Sequence, residues 1–243
     1  MPLDLALGDI WVYLSSGPLL HLTLTLLAYL FADWVFRRSG QRALFNPVLL
    51  SILLLVAVLS VTGTDYATYF EGAQFVHFLL GPATVALAVP LYRNLRLIRR
   101  LWLSLLVAIV TGSLVSASSA VLIASWLGAS RETLISLAPK SVTAPVAMGI
   151  SEKVGGLPSL TAALVVLTGV LGAVIGVAVL ALVRVKDDRA RGIALGVSSH
   201  GIGTARAFQL GDLAGAFSAL AMGLTALASA FVLPFVLRWV FGN

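Results

Sequence analysis

The sequence predicts an all-α polytopic membrane protein of about seven to eight membrane segments, transporter-like, with broken or re-entrant helices and inverted repeats. Three observations predict it. Mean hydropathy over the 243 residues is +1.02 and 59% of residues are apolar, so a soluble core would have no polar surface left to cover it. Uncharged runs recur at bilayer length. Proline, glycine and hydroxyl residues cluster between and within those runs, where a plain spanning helix has no use for them.

The uncharged runs extend from Ile10 to Ala32, Ala43 to Thr64, Gly72 to Tyr92, Leu101 to Ser130, Val154 to Val183 and Leu213 to Leu237. Each exceeds the roughly 20 residues that cross a hydrocarbon core, which makes six spans in one domain, residues 1–243. The first is expected to stay in the mature protein, because Asp4 and Asp9 stand where a cleaved signal carries basic residues. With no cysteine, disulfides, thiolate metal sites and cysteine nucleophiles are excluded. The net charge of +6 comes from clusters between spans, which argues for membrane topology and against nucleic acid as a partner.

Arg37, Arg38 and Arg42 follow the first run, Asp65 and Glu71 the second, and Arg93, Arg96, Arg99 and Arg100 the third. This alternation puts the N-terminus outside and the arginine loops in the cytoplasm. The cluster from Arg184 to Arg191 belongs in the cytoplasm too. It gets there only if residues 131–153 enter and leave on the same side, so this segment is expected to be re-entrant. APKSVTAP, residues 138–145, lies inside it, and Pro139 and Pro145 supply the helix breaks.

Similar breaks recur. An offset of 57 residues pairs 79–89 with 136–146 and Thr111-Gly112 with Thr168-Gly169, and an offset of 120 pairs Gly81 and Thr84 with Gly201 and Thr204. The break near Pro82 is then expected on an outward-to-inward span and that near Gly201 on an inward-to-outward one, an inverted pair of the kind that builds a midplane transport site.

Irregular backbone at membrane depth is tolerated only against protein or a polar cavity, and ionisable groups there mark ligands or pathways. Lys140 is one such group, facing an anion or else snorkelling to headgroups. His200 either serves substrate or proton, or is a buried imidazole bonded to a carbonyl. Arg206 either joins them or finishes its helix. His21 and His77 are assigned to helix packing, and Glu152 and Lys153 to the wet end of the re-entrant segment. Signatures such as HExxH, GxSxG and the P-loop are missing, so neither an enzyme nor a metal site or cofactor is expected.

NPVLLS (46–51), LLGPATVALAVPLY (79–92), LAPKSVTAPVAMGISEKVGG (137–156) and SSHGIGTARAF (198–208) resemble the LrgB/CidB family across nearly the whole chain. The resemblance implies a multi-pass protein of the bacterial cytoplasmic membrane beside a smaller LrgA/CidA-like membrane partner. Members are described as holin-like or antiholin-like modulators of murein hydrolase activity and autolysis. Others, including the LrgB-like half of a plant plastid glycolate/glycerate carrier, point to movement of small monocarboxylates such as pyruvate. Carried onto this chain, the motifs nominate Pro82, Thr84, Lys140, Ser141, Thr143, Ser199, His200, Thr204 and Arg206 as substrate-binding. A proton or cation is the expected coupled species, and a homodimer the expected assembly.

Overall fold

The computed structural model describes residues 18–42, 45–79, 82, 85–86 and 88–242, and every regular element among them is helical. Two compact units divide the chain, Met1–Ala86 and Leu87–Asn243. Thr84 and Gly81 lie outside the described residues, as does the start of the first uncharged run.

The first unit holds α1 (Pro18–Arg38), α2 (Pro47–Thr62) and α3 (Tyr66–Phe78). Asn46 starts α2: its side-chain oxygen accepts from the amides of Val48 and Leu49 at 2.9 and 3.2 Å, and Pro47 needs no such partner. Gly63, at φ 66°, ends it in the left-handed conformation. His21, Ala28, Ala32 and Phe36 line the buried face of α1 at helical spacing. The His21 ring meets Tyr69 edge-on at 5.9 Å and neither of its nitrogens has a hydrogen-bond partner, so packing alone accounts for it.

The second unit holds α4 (Ala88–Arg93), α5 (Leu95–Arg100), α6 (Trp102–Trp126), α7 (Arg131–Leu137), α8 (Ala144–Lys153), α9 (Pro158–Leu182), α10 (Asp188–Leu210) and α11 (Asp212–Phe241). Across the described residues, α1, α6, α9 and α11 are long and apolar enough to cross a membrane, and α2 is a shorter apolar helix.

Helices α7 and α8 form a hairpin. Ile135 and Ala138 pack with Ile150 and Val154, and Ser130, Arg131 and Glu132 share a cavity with Val154 and Gly155, so the chain ends this segment beside its own beginning. Fully buried Ser136, Ser151 and Thr161 pin both arms to α9. The Ser136 hydroxyl accepts from the Leu157 amide at 2.8 Å, and Thr161 Oγ1 lies 3.0 Å from the Ser136 carbonyl oxygen and 2.8 Å from the Ser151 hydroxyl.

A second hairpin stands where the sequence suggested a broken crossing helix. Twelve residues of straight helix cover about 18 Å, yet Leu195 and Ala207 of α10 pack in one cluster with Ala214. Ser199 (φ −134°, ψ 15°) and His200 (φ 41°, ψ −131°) reverse the chain between them. Glycines permit the close return: a Cβ on Gly203 would fall 2.4 Å from the Leu195 carbonyl oxygen, and one on Gly192 or Gly196 would fall 2.2 or 2.3 Å from carbonyl oxygens of α11. The Gly201 region is therefore a turning point, and α10 finishes at the end of the unit where it began.

The start of α6 and the start of α10 share that end, since Leu101 and Ser104 line one cavity with Asp187 and Arg189. The end of α5, with Arg99 and Arg100, thus lies at the same end as Asp187 and Arg189. Gly192→Ala is expected to lower the thermal unfolding midpoint in detergent by forcing α10 from α11, at a cost of about 1–3 kcal/mol. Gly223→Ala, whose added methyl meets nothing within 4 Å, is expected to leave the midpoint unchanged or raise it.

Candidate functional site

The first reversal places Lys140. Its amide donates to the Leu137 carbonyl at 3.0 Å and the Val142 amide to the Pro139 carbonyl at 2.9 Å, so the chain makes two tight turns between α7 and α8. Pro139, fully buried and without an amide hydrogen, stops α7; Pro145 sits in the first turn of α8. The half-buried Lys140 side chain turns to α6, where Nζ donates to Ser116 Oγ at 3.2 Å and to the buried Ser141 Oγ at 3.1 Å. The two hydroxyls are 2.8 Å apart. None of the ion pairs among the described residues includes Lys140, and its side-chain hydrogen bonds go to hydroxyls.

The second reversal places His200. Its backbone lies in a region that favours glycine, and what holds it there is visible: Nε2 donates to the Val165 carbonyl of α9 at 2.9 Å. Thr204 donates to the His200 carbonyl at 2.8 Å and lies 3.0 Å from Ser218 of α11. Gly169 and Gly172 of α9 form the cradle, since a Cβ there would strike the His200 ring at 2.6 Å or the Ser199 hydroxyl.

Val165 joins the two reversals. Its side chain packs with Val142 and Ala147 of the first hairpin, while its carbonyl holds His200 of the second. A cavity of about 430 Å³ between α6 and α10 is lined by Ser116 at one end of this region and by Ser198, beside the second reversal. A further cavity of about 280 Å³ shares Ala108, Ala190 and Ile193 with it and extends to Asp187 and Arg189. There the Arg189 side chain and amide hold the exposed Asp187 carboxyl down to about 2. A groove thus runs from the basic end of the unit to the partner of Lys140.

Residues 25–239 match the LrgB-like family. The chain belongs to that family. It is 37% identical over 222 residues to the protein YwbG of Bacillus subtilis, covering 91% of this chain and 98% of that one. It is 34% identical to a protein of Haemophilus influenzae over 87% of this chain and 93% of that one. With an antiholin-like protein LrgB of Bacillus mycoides it shares 29% identity over 93% of this chain and 98% of the relative. No solved structure matches.

Within this LrgB-like chain the structure gathers Lys140 and Ser141 at one reversal and Ser199, His200 and Thr204 at the other. Thr143 stands half-buried before α8 without capping it. Arg206 lies about 9 Å of helix beyond His200 and donates to Gln209 at 2.6 Å, which gives it a place at the helix end. Pro82 is exposed and in the first unit; Thr84 lies outside the described residues. Ser116 is the addition: a serine on an apolar helix usually serves packing, and only its contacts with Lys140 and Ser141 single it out. Among the described residues no cluster of three His, Asp or Glu side chains could hold a metal ion.

The His200 geometry makes a prediction. His200→Ala and His200→Gly both remove the imidazole, and the glycine variant is expected to be the more stable by roughly 1–3 kcal/mol, the energy scale of such backbone strain. In an ordinary helix the order is reversed. Paired thermal unfolding midpoints test this.

Proposed function

We propose that this LrgB-like protein carries small monocarboxylates, of the pyruvate, glycolate or glycerate class, across the bacterial cytoplasmic membrane, binding the carboxylate at Lys140 Nζ with Ser116 and Ser141. The observation that carries this reading is a half-buried ammonium whose side-chain hydrogen bonds, among the described residues, go to two hydroxyls and to no carboxylate. A buried charge is costly until it is paired, and an arriving carboxylate pairs it. The positive end of α8, four residues on, adds to the attraction.

The layout supports transport further. Helices α6 and α9 are each 25 residues long, and each leads into a helical hairpin of equal length, at the sequence offset of 57 that pairs Thr111-Gly112 with Thr168-Gly169. In this reading the two halves are inverted repeats, both hairpins are re-entrant, and rocking between them alternates access to Lys140. The basic end faces the cytoplasm and the N-terminus lies outside. A proton or cation is the coupled species. The assembly is a homodimer with an LrgA/CidA-like partner.

A second reading takes its support from the name of several relatives, antiholin-like protein LrgB: a holin-like or antiholin-like protein that modulates murein hydrolase activity and autolysis. Reconstitution separates the two. Purified protein in liposomes, alone and with an LrgA-like partner, is expected to take up labelled pyruvate or glycolate. Release of small dyes with no monocarboxylate uptake would favour a holin-like pore. Lys140→Ala is expected to cut uptake at least about tenfold, the effect of losing a charge-assisted hydrogen bond, with folded protein retained. Unchanged uptake removes Lys140 from the site.

A further inference from the structure

Exposed tryptophans, Trp102 and Trp126, stand at the two ends of α6. The helix between them covers about 36 Å, which sets them at the two headgroup levels of a bilayer whose hydrocarbon is about 30 Å thick. On this scale the groove between α6 and α10 starts beside the headgroups, at Leu101 and Ser104. It ends at Ser116, about 21 Å of helix beyond Trp102 and near the midplane. Its two cavities, of about 280 and 430 Å³, share Ala108, Ala190 and Ile193 and so form one trough as deep as a single leaflet. Thr111, Ala190 and Ser198 are exposed along it, which leaves its side open.

The hydroxyls along the deeper cavity are already bonded. Thr111 Oγ1 donates back to the Val107 carbonyl at 2.7 Å, Ser116 is held by Lys140 and Ser141, and Ser198 lies 2.9 Å from the Ser199 hydroxyl. A chain of methylenes laid there leaves no polar side chain unpaired. The floor is also narrow, since a Cβ on Gly112 would fall 3.1 Å from the Val197 side chain. A partner's spanning helix is about 10 Å across and needs a face over the full membrane depth, whereas this trough stops at the midplane. An acyl chain suits both its width and its length.

At the headgroup end the charge is all of one sign. Arg93, Arg96, Arg99 and Arg100 are exposed, and no ion pair among the described residues includes them. The sequence has no Asp or Glu between Glu71 and Glu132, and Asp187, on the opposite wall, is taken up by Arg189. The helical ladder continues from α5 into α6, with the Leu101 amide on the Leu97 carbonyl at 3.0 Å and the Leu105 amide on the Leu101 carbonyl at 2.9 Å. Arg96, Arg100 and Ser104 therefore follow one another at one-turn intervals down a single face into the trough. We propose that an anionic phospholipid of the adjacent leaflet occupies this trough, its phosphate on the arginines of α4 and α5 and one acyl chain along Ala108, Gly112 and Ala194. Basic pockets between spanning helices are suited to such headgroups. The proposal does not depend on the reading of Lys140 as an anion site.

The test is lipid binding to the purified full-length protein in detergent, read by native mass spectrometry, with phosphatidylglycerol and phosphatidylcholine of identical oleoyl chains as probes. Each arginine near an anionic lipid contributes about fivefold, so wild type is expected to bind phosphatidylglycerol at least about twentyfold more tightly. Arg99→Gln combined with Arg100→Gln is expected to cut that ratio about tenfold or more. Ala194→Phe, which fills the trough below the headgroups, is expected to weaken both lipids at least about tenfold and to leave their ratio unchanged. Ala190→Phe, at an exposed position on the same wall, makes the same test should Ala194→Phe fail to fold. Equal binding of the two lipids by wild type, an unchanged ratio in the arginine variant, or full affinity in a folded trough-filling variant overturns the proposal. A wild-type dimer that binds no lipid and that Ala194→Phe separates overturns it too, and puts a second copy in the trough instead.

Discussion

Two places where the chain abandons the helix inside an apolar protein set the terms for the rest of the second unit. Where water is scarce, every amide and carbonyl released by a break has to find a partner in the protein. At residues 138–143 the turns bond within themselves and proline removes one donor altogether. At 199–200 the His200 carbonyl is met by the Thr204 hydroxyl of the returning arm, and the His200 imidazole ties the turn to the Val165 carbonyl of α9. Both solutions need neighbours at close range, and the glycines of α9 and α10 provide that range by having no side chain to intrude.

This constraint also explains where chemistry collects. Breaking a helix concentrates hydroxyls and imidazole that would otherwise be spread along helix faces, and reversal brings them to the tip of a hairpin, at the middle of the flanking helices. Ser116 and Val165 mark those levels on α6 and α9. The tips therefore share a neighbour in Val165, and the two hydroxyls that Lys140 contacts line separate cavities, Ser141 one and Ser116 the other. His200 illustrates the economy: its imidazole holds a strained turn in place, the carbonyl-bonded alternative for this residue, and so its bond to α9 is structural.

Charge is handled differently in the two regions. At the exposed end, Asp187 starts α10 and pairs with Arg189, and Asp188 with Arg191, so cations there have carboxylates nearby. At Lys140 the neighbours are neutral hydroxyls. Exposed pairs of the first kind contribute little net energy and are screened by salt; an ammonium among hydroxyls keeps its attraction for an anion because nothing within the described ion pairs neutralises it.

Composition and spacing alone determined that the chain is helical and apolar, that residues 131–153 are interrupted at the prolines, and that Lys140, Ser141 and His200 stand at breaks. These follow from local physics: proline removes a donor, uncharged runs of bilayer length form helices, and lysine is conspicuous where almost nothing else is charged. Tertiary structure decided what local rules do not reach. That α10 folds back at His200 depends on Gly192, Gly196 and Gly203 meeting carbonyls of distant residues, and a glycine reads the same in sequence whether it packs a crossing helix or a hairpin. Ser116 carries no mark in the sequence, because hydroxyls on apolar helices usually serve packing; only its position beside Lys140 and Ser141, set by contacts between α6 and the first hairpin, distinguishes it.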